Sequence, residues 1–410
     1  MNILMLSLIF PPETGSARRV GELADFFAGK GHDVSVVTGF PTYPQGALYP
    51  GFRKNLIRRE QLSEKLSVTR VWLYTTPKRF STLRRLVHYG TFTVSSFFAM
   101  LTCKRPDVIY VVSHPYFLGL SAILLRLLRG GKIVLDVQDS WPEAPIALGY
   151  IRWQWLIRML VSTEKYVYRA ANLISTLSPE MASRLIFRGA EPEKVETVYN
   201  WVDHRRFSPV DGGALRSRLG LDGLFVVLYA GNIGKPQGLD VVISAAGIVQ
   251  DSAKIHYVII GDGAEKRTLQ ELARSHGVTN VSFLPAVPES EIIDYLGMAD
   301  ALLVHLTKAP HRSGVIPSKL QIYMAAGKPI LLGAVGASAR IVADASCGVV
   351  FEPGSPEGLA EAAQRVAATT PEERQALGMT GRAYAMQHFD LTAQCSRSEQ
   401  LIAELIAPQS

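Results

Sequence analysis

The sequence has little cysteine, little charge and no long apolar span, and each shortage narrows what the chain can be. Its three cysteines, Cys103, Cys347 and Cys395, are odd in number and far apart, which excludes a disulfide framework and a C-x-x-C metal site and suits a reducing cytoplasm. Charged residues make up 19% of the chain against 48% hydrophobic, a balance that excludes a disordered protein. No internal repeat or low-complexity block occurs, so a solenoid is excluded as well. The apolar start, residues 2–10, has no basic stretch before it and reads as a buried strand rather than a secretion signal. The uncharged run 108–125 is long enough to suggest a membrane span, but Ser113, His114 and Pro115 cut it into a strand and a helix. No G-x-G-x-x-G follows the first strand, which leaves the case for a dinucleotide cofactor weak.

What is present is an alternation. With 410 residues the chain is too long for one common core, and two domains of roughly 200 residues each are expected. Strands at 2–10 and 34–38 flank a turn and a helix at 20–29, the opening of a parallel doubly wound sheet. Further strands are expected at 108–113, 133–137 and 173–176, with helices at about 117–129, 152–171 and 179–188. A fresh strand begins at Phe225 and runs into the glycine-rich turn 231–238, whose amide N–H groups suit phosphate. Two strand ends carry polar groups where open parallel sheets place ligands: Ser113 with His114, and Asp136 through Glu143. His114 reads as either a structural or a catalytic histidine. Asp139 and Glu143 read as either general-base or acceptor-binding carboxylates, or as acids capping the next helix before Pro142.

Charge is unevenly spread. Residues 52–106 hold twelve lysines and arginines, Arg79, Arg84 and Arg85 among them, against Glu60 and Glu64, a local +10 in a chain of net +7. Eight aromatics, from Phe52 to Phe98, are interleaved with them. The combination suits an anionic membrane surface over an apolar layer, with a solvated basic helix face as the plain alternative. No nucleic-acid module accompanies it, so no nucleic-acid partner is expected.

The most informative stretch is 314–330. Pro317 and Ser318 signal a helix start, residues 320–326 form its apolar turn, Gly327 stops it, and Lys328 and Pro329 lead into a strand. Free N–H groups and the positive dipole end of that helix favour an anion, and Lys319 adds a full charge there. The pattern P-S-K-x-x-x-Y-M-A-A-G-K-P-I from Pro317 resembles the donor-nucleotide segment of family 4 retaining glycosyltransferases, particularly bacterial enzymes that transfer N-acetylamino sugars in surface-polysaccharide assembly. Other stretches extend the resemblance over nearly the whole chain. They are F-x-P-E-x-G-S around Gly15, K-G-H-D-V-x-V-x-T from Lys30, D-V-Q-D-x-W-P-E from Asp136, and the crossing marked by Asn200 and Asp203. Where that family carries two glutamates in the donor segment, this chain has Gly314 and Ile322, and an isoleucine has no acceptor atom for ribose hydroxyls. Where the wider family has an arginine and a lysine, it has Asn232 and Gln237, which leaves Lys235 and Lys319 as substitutes.

The resemblance implies an α/β chain of the GT-B fold: two Rossmann-like doubly wound parallel-sheet domains facing a cleft. An acceptor domain would span 1–200, with the basic-aromatic segment at about 52–106, and a donor domain 210–385. A C-terminal helix, 386–410, would cross back to the first domain. It implies catalytic roles for His114 and Asp139 and donor binding by Gly15, Gly231, Asn232, Lys235, Gln237, Ser318 and Lys319. Glu143, Arg79, Arg84 and Arg85 would serve acceptor or membrane. The expected reaction is retaining transfer from a nucleotide sugar, taken to be a UDP-linked N-acetylamino sugar, to a polyprenyl-diphosphate-linked acceptor. The expected place is the inner face of the cytoplasmic membrane, with no metal or other cofactor. Two other readings stay open: a transferase-like binding subunit that has lost turnover, favoured by the missing glutamates, and a soluble nucleotide-sugar epimerase.

Overall fold

Val108–Ser113 and Phe225–Ala230 are buried at every position, the pattern of a parallel strand covered on both faces by helices. In the computed structural model of the chain, these two segments lie near the middle of separate sheets. The structure describes all residues except 14, 43–45, 54, 76–81, 114, 116, 140, 144–145, 147–148, 150, 252–253, 310–313 and 408–410, and except the side chains of 82, 83 and 85. The chain forms two α/β units, one of Met1–Tyr199 with Gln394–Ser410 and one of Asn200–Ala393.

The first unit runs β1 (Asn2–Leu6), α1 (Ser16–Gly29), β2 (Asp33–Gly39), β3 (Ile57–Ser63), β4 (Leu66–Val71), α2 (Thr82–Met100), β5 (Val108–Ser113), α3 (Leu118–Arg129), β6 (Lys132–Val137), α4 (Gln154–Ala170), β7 (Leu173–Thr176), α5 (Pro179–Phe187) and β8 (Val195–Thr197). Its eight-stranded sheet has the order β3-β4-β2-β1-β5-β6-β7-β8. All neighbours are parallel except β3, which pairs antiparallel with β4. That hairpin lies inside the basic segment, where no strand was expected. Most of β3 is exposed and three of its seven residues are charged, which suits an edge strand that must not pair further.

The second unit runs α6 (Gly213–Arg218), β9 (Phe225–Ala230), α7 (Asp240–Val249), β10 (Ile255–Ile260), α8 (Lys266–Ser275), β11 (Val281–Leu284), α9 (Ile292–Met298), β12 (Ala301–His305), α10 (Ser318–Ala325), β13 (Ile330–Gly333), α11 (Ala337–Asp344), β14 (Gly348–Val350), α12 (Pro356–Ala367) and α13 (Pro371–His388). Six parallel strands take the order β11-β10-β9-β12-β13-β14, the doubly wound arrangement in which strand order reverses beside the first strand. The tail expected as one helix is two. The last helix, α14 (Leu391–Ile406), belongs to the first unit from Gln394 onward. There Arg397 pairs with Glu196 at 3.1 Å and Glu399 with His32 at 2.9 Å.

Helix starts follow the sequence signals closely. Ser178 and Ser355 each accept a hydrogen bond from an N–H of the first turn, with proline next in the chain. Thr370 and Glu373 form a reciprocal capping box ahead of α13.

One buried ion pair ties the first unit together. Asp136, near the end of β6, is fully buried, and Arg19 of α1 reaches it at 2.5 Å. Gln138 and Ser175 donate to the same carboxylate at 2.7 and 3.2 Å. Burial pushes the Asp136 pKa up and the Arg19 guanidinium opposes that shift. Removing only the cation leaves a buried carboxylate without its partner. Arg19→Met is therefore expected to cost about 3–5 kcal/mol, seen as a lower midpoint in urea unfolding, and Arg19→Met/Asp136→Leu should recover part of that loss. A midpoint unchanged in the single variant would show that the pair contributes nothing.

Candidate active site

Both sheets reverse their strand order at one place, and open parallel sheets bind ligands there, outside the carboxyl ends of the strands. In the second unit the place lies between β9 and β12. The chain leaves β9 through Gly231, at φ +141°, where a Cβ atom would sit 3.0 Å from the Lys319 Nζ. The next turn packs backbone on backbone. A Cβ on Gly261 would lie 1.9 Å from the Gly231 carbonyl oxygen, and one on Gly263 would lie 2.2 Å from that of Ile233. Only glycine fits such an approach, which is why the two turns after β9 and β10 carry it.

Lys319 stands in the first turn of α10, one residue after Ser318, which is exposed at the helix start. No side chain caps that helix, since Pro317 at the cap position is extended and has no side-chain acceptor. The Lys319 ammonium lies 3.7 Å above the centre of the Tyr229 ring and is close to the Gly231 backbone. Burial pushes its pKa down to about 7. Tyr323 holds the end of β9 from the same helix, accepting from Ala230 N at 2.8 Å and donating to Ala230 O at 3.0 Å. The amides of Gly231, Gly234 and Gly238 are taken up within the protein, by Ile260 O, Gln237 Oε1 and Lys235 O, so what meets at this strand end is an uncapped helix start and a cation, an arrangement suited to a phosphate or diphosphate.

The other donor candidates have internal tasks. Gln237 Oε1 accepts from Gly234 N at 3.2 Å and from Asn232 Nδ2 at 3.4 Å. Tyr229 donates to the Asn232 carbonyl at 2.7 Å. The two amides that stand in place of a cation pair therefore brace the glycine turn, and Lys235 is exposed within it. Gly314 is buried and Ile322 half-buried.

The sequence reading did not single out His305, at the end of β12. Its Nδ1–H donates to the Gln237 carbonyl at 2.6 Å, and its Nε2 accepts from Gly354 N at 2.9 Å. It stacks on Phe351, and burial lowers its pKa, in keeping with a neutral ring that clamps two loops. A histidine closing a buried apolar strand was the available signal.

In the first unit the reversal lies between β1 and β5. Gly15, exposed with φ +70°, is the residue before α1, and a Cβ there would meet nothing within 4 Å. Glu13, also missed, is buried beside it and accepts from Thr42 N at 2.9 Å and Phe10 N at 3.3 Å, joining the loops after β1 and β2. A carboxylate in a proline-flanked loop was its only mark. Asp139 is exposed just beyond the end of β6. Glu143 forms an ion pair with Arg184 of α5. His114 and Arg79 lie outside the described residues, as does the Arg85 side chain, and Arg84 is exposed. Of the aromatics in the basic segment, Tyr89 and Phe92 are buried, and Phe52 lies under the guanidinium groups of Arg58 and Arg70. Tyr89 and Phe92 are thus interior packing, because α2 turns one face to the sheet, while Trp72 and Phe98 are exposed. Among the described residues no three His, Cys, Asp or Glu side chains group closely enough to hold a metal ion.

Residues 14–201 match the family described as glycosyl transferase 4-like domain, and residues 214–384 the family described as glycosyl transferases group 1. The putative colanic acid biosynthesis glycosyl transferase WcaI of Escherichia coli (strain K12) is 34% identical over 337 residues, covering 80% of this chain and 82% of WcaI. The chain belongs to the family 4 glycosyltransferases. Two solved structures share its fold: sucrose-phosphate synthase (tll1590) from Thermosynechococcus elongatus, with TM-score 0.79, 18% identity and 99% of both chains covered, and Anabaena Alr3699/HepE in complex with UDP and glucose, with TM-score 0.72, 16% identity and coverage of 98% and 100%. The fold is GT-B, and this chain is a glycosyltransferase of that kind.

The lysine of this glycosyltransferase sets a pH signature. The unfolded chain keeps Lys319 protonated to about pH 10.4, whereas the folded chain releases the proton near pH 7. Between those values the unfolded state binds more protons, so the contribution of this group to stability rises with pH. Lys319→Met, which removes the buried charge, should gain most over the parent at pH 6 and progressively less toward pH 9.5 in thermal melts. A constant difference across that range would place the ammonium in water.

Proposed function

We infer that this glycosyltransferase is a retaining enzyme that moves a sugar from a UDP-sugar to a polyprenyl-diphosphate-linked acceptor at the inner face of the cytoplasmic membrane, in the assembly of a surface polysaccharide. The observation that carries the reading is the end of β9, where an uncapped helix start and the Lys319 ammonium converge beside Gly231. UDP and glucose bound to a protein of the same fold support a UDP-sugar donor. The place of WcaI in colanic acid biosynthesis supports a polysaccharide product. The resemblance of the segment 317–330 to N-acetylamino-sugar transferases supports that class for the transferred unit.

In this mechanism the donor diphosphate lies over the first turn of α10. Dipole, amide N–H groups and Lys319 take up the charge that develops as the glycosidic bond breaks. The acceptor hydroxyl attacks on the face the leaving group departs from, so anomeric configuration is kept and the protein contributes positioning rather than a nucleophile. His114 and Asp139, which follow β5 and β6, are assigned to the acceptor and the transferred sugar, with Gly15 as the open approach to the sugar phosphate. No metal or other cofactor has a part in this scheme.

A second reading, a binding subunit without turnover, is favoured by one feature: Ile322 and Gly314 offer no side-chain acceptor for the ribose hydroxyls. A thermal-shift series with UDP, UDP-glucose and UDP-N-acetylglucosamine, read together with sugar release from each donor, separates the two. A ligand at a hundred times its Kd adds about 2.7 kcal/mol of stability. Lys319→Ala should lose roughly 1.5–3 kcal/mol of binding to the effective nucleotide, and most sugar release from it. Ile322→Glu should tighten UDP binding if only the ribose contact is missing. Binding with no turnover under any acceptor would favour the subunit, and unchanged nucleotide binding in Lys319→Ala would remove this site.

A further inference from the structure

The outer layer of the first unit carries apolar surface that the fold does not use. Helix α3 is apolar on two sides. Leu118, Ala122 and Leu125 are buried, yet Leu120, Leu124, Leu127 and Leu128 are exposed, Leu127 at 73%. Their spacing of three and four residues puts them in one outward stripe. Helices α2 and α4 pack on either side of α3 and repeat the pattern. On α4 the stripe is Trp155, Met159 and Tyr166, with Trp155 66% exposed. On α2 it is Val87, Val94 and Phe98, with Phe98 63% exposed. Single exposed apolar residues are ordinary, but three aligned stripes on neighbouring helices form the kind of patch that marks a contact surface.

Charge identifies the partner. Helices α2 and α3 contain no acidic residue. The one acid of α4, Glu164, is buried against Arg188 and Tyr168. The layer therefore offers no exposed carboxylate, while Arg84, Arg158, Lys165 and Arg169 are exposed on the same helices. A second copy would set cations against cations, and a nucleic acid would leave the leucines unexplained. Among the described residues no helix is long and apolar enough to cross a membrane, so the surface is suited to lying on a bilayer. Leucines can enter the acyl boundary, Trp155 sits at the headgroup level, and the cations meet anionic headgroups.

We propose that the face formed by α2, α3 and α4 is the membrane-docking surface of this protein, with the leucine stripe of α3 at its centre and an anionic bilayer as its partner. This rests on the membrane placement in the functional reading, and it extends the apolar contact from α2 in the basic segment to α3 and α4.

The test is cosedimentation of the full chain with phosphatidylcholine vesicles, with and without phosphatidylglycerol. The parent should partition to the anionic vesicles and its tryptophan emission should shift to the blue. Leu124→Gln/Leu128→Gln should lower partitioning by about a hundredfold, and Trp155→Gln should lower it and reduce the blue shift. Ile248→Gln, at an exposed site in the second unit, should bind like the parent. Melting temperature and the UDP-sugar thermal shift are read on every variant. A lost nucleotide shift in the parent would sink the transferase reading while leaving vesicle binding interpretable. Parent-like partitioning of the folded leucine variant overturns the proposal, as does equal binding to neutral vesicles. A parent dimer, seen by light scattering, that the leucine changes convert to monomer overturns it too, by giving the face to a second copy.

Discussion

A parallel strand buried on both faces has almost no room for polar side chains, and that restriction shapes the rest of this molecule. In β5, β9, β12 and β13 every residue is buried, so groups able to meet a ligand are displaced to the loops at the strand ends. Exceptions are held by dedicated partners. Asp136 inside β6 has Arg19, Gln138 and Ser175, and His305 at the end of β12 has a carbonyl on one nitrogen and an amide on the other. Such interior groups connect loops to the sheet and keep the neighbouring ligand-facing residues in register.

The second unit shows how close backbone approach and charge placement depend on each other. Gly261 lets the turn after β10 touch the Gly231 carbonyl, and Gly231 leaves space for the end of Lys319. With no acid to offset its burial, the lysine rests on the Tyr229 ring. An aromatic face attracts a cation but does not neutralise it, so the ammonium remains available to an anion. The cost is a charge kept in a poorly solvated place, which is how a site holds electrostatic stabilisation ready before its ligand arrives.

The first unit has a different division of labour. Its sheet-facing helix surfaces serve packing, whereas the outward surfaces of α2, α3 and α4 carry leucine, tryptophan and arginine without acids. Segment composition alone suggested an apolar, basic region at 52–106, which includes α2 but not α3 and α4. Tyr89 and Phe92 count as aromatic in any window, yet both point into the core. The exposed leucines of α3 sit in a run that reads as ordinary core helix, since Leu118, Ala122 and Leu125 share it.

Local sequence determined the α/β alternation, most strand positions, the proline-led helix starts and the glycine turns, because these depend on near-neighbour periodicity and backbone freedom. It also determined the family, through motifs at strand ends. It could not reveal the β3–β4 hairpin, whose charged edge strand lacks an apolar alternation. Nor could it show that Asn232 and Gln237 bond to each other, that Glu13 ties two loops, or that Lys319 lies over Tyr229. Those are meetings of residues brought together by strand order, and only the tertiary structure decides them: a side chain's charge state and partners depend on what the fold places within a few ångströms, not on its neighbours in the chain.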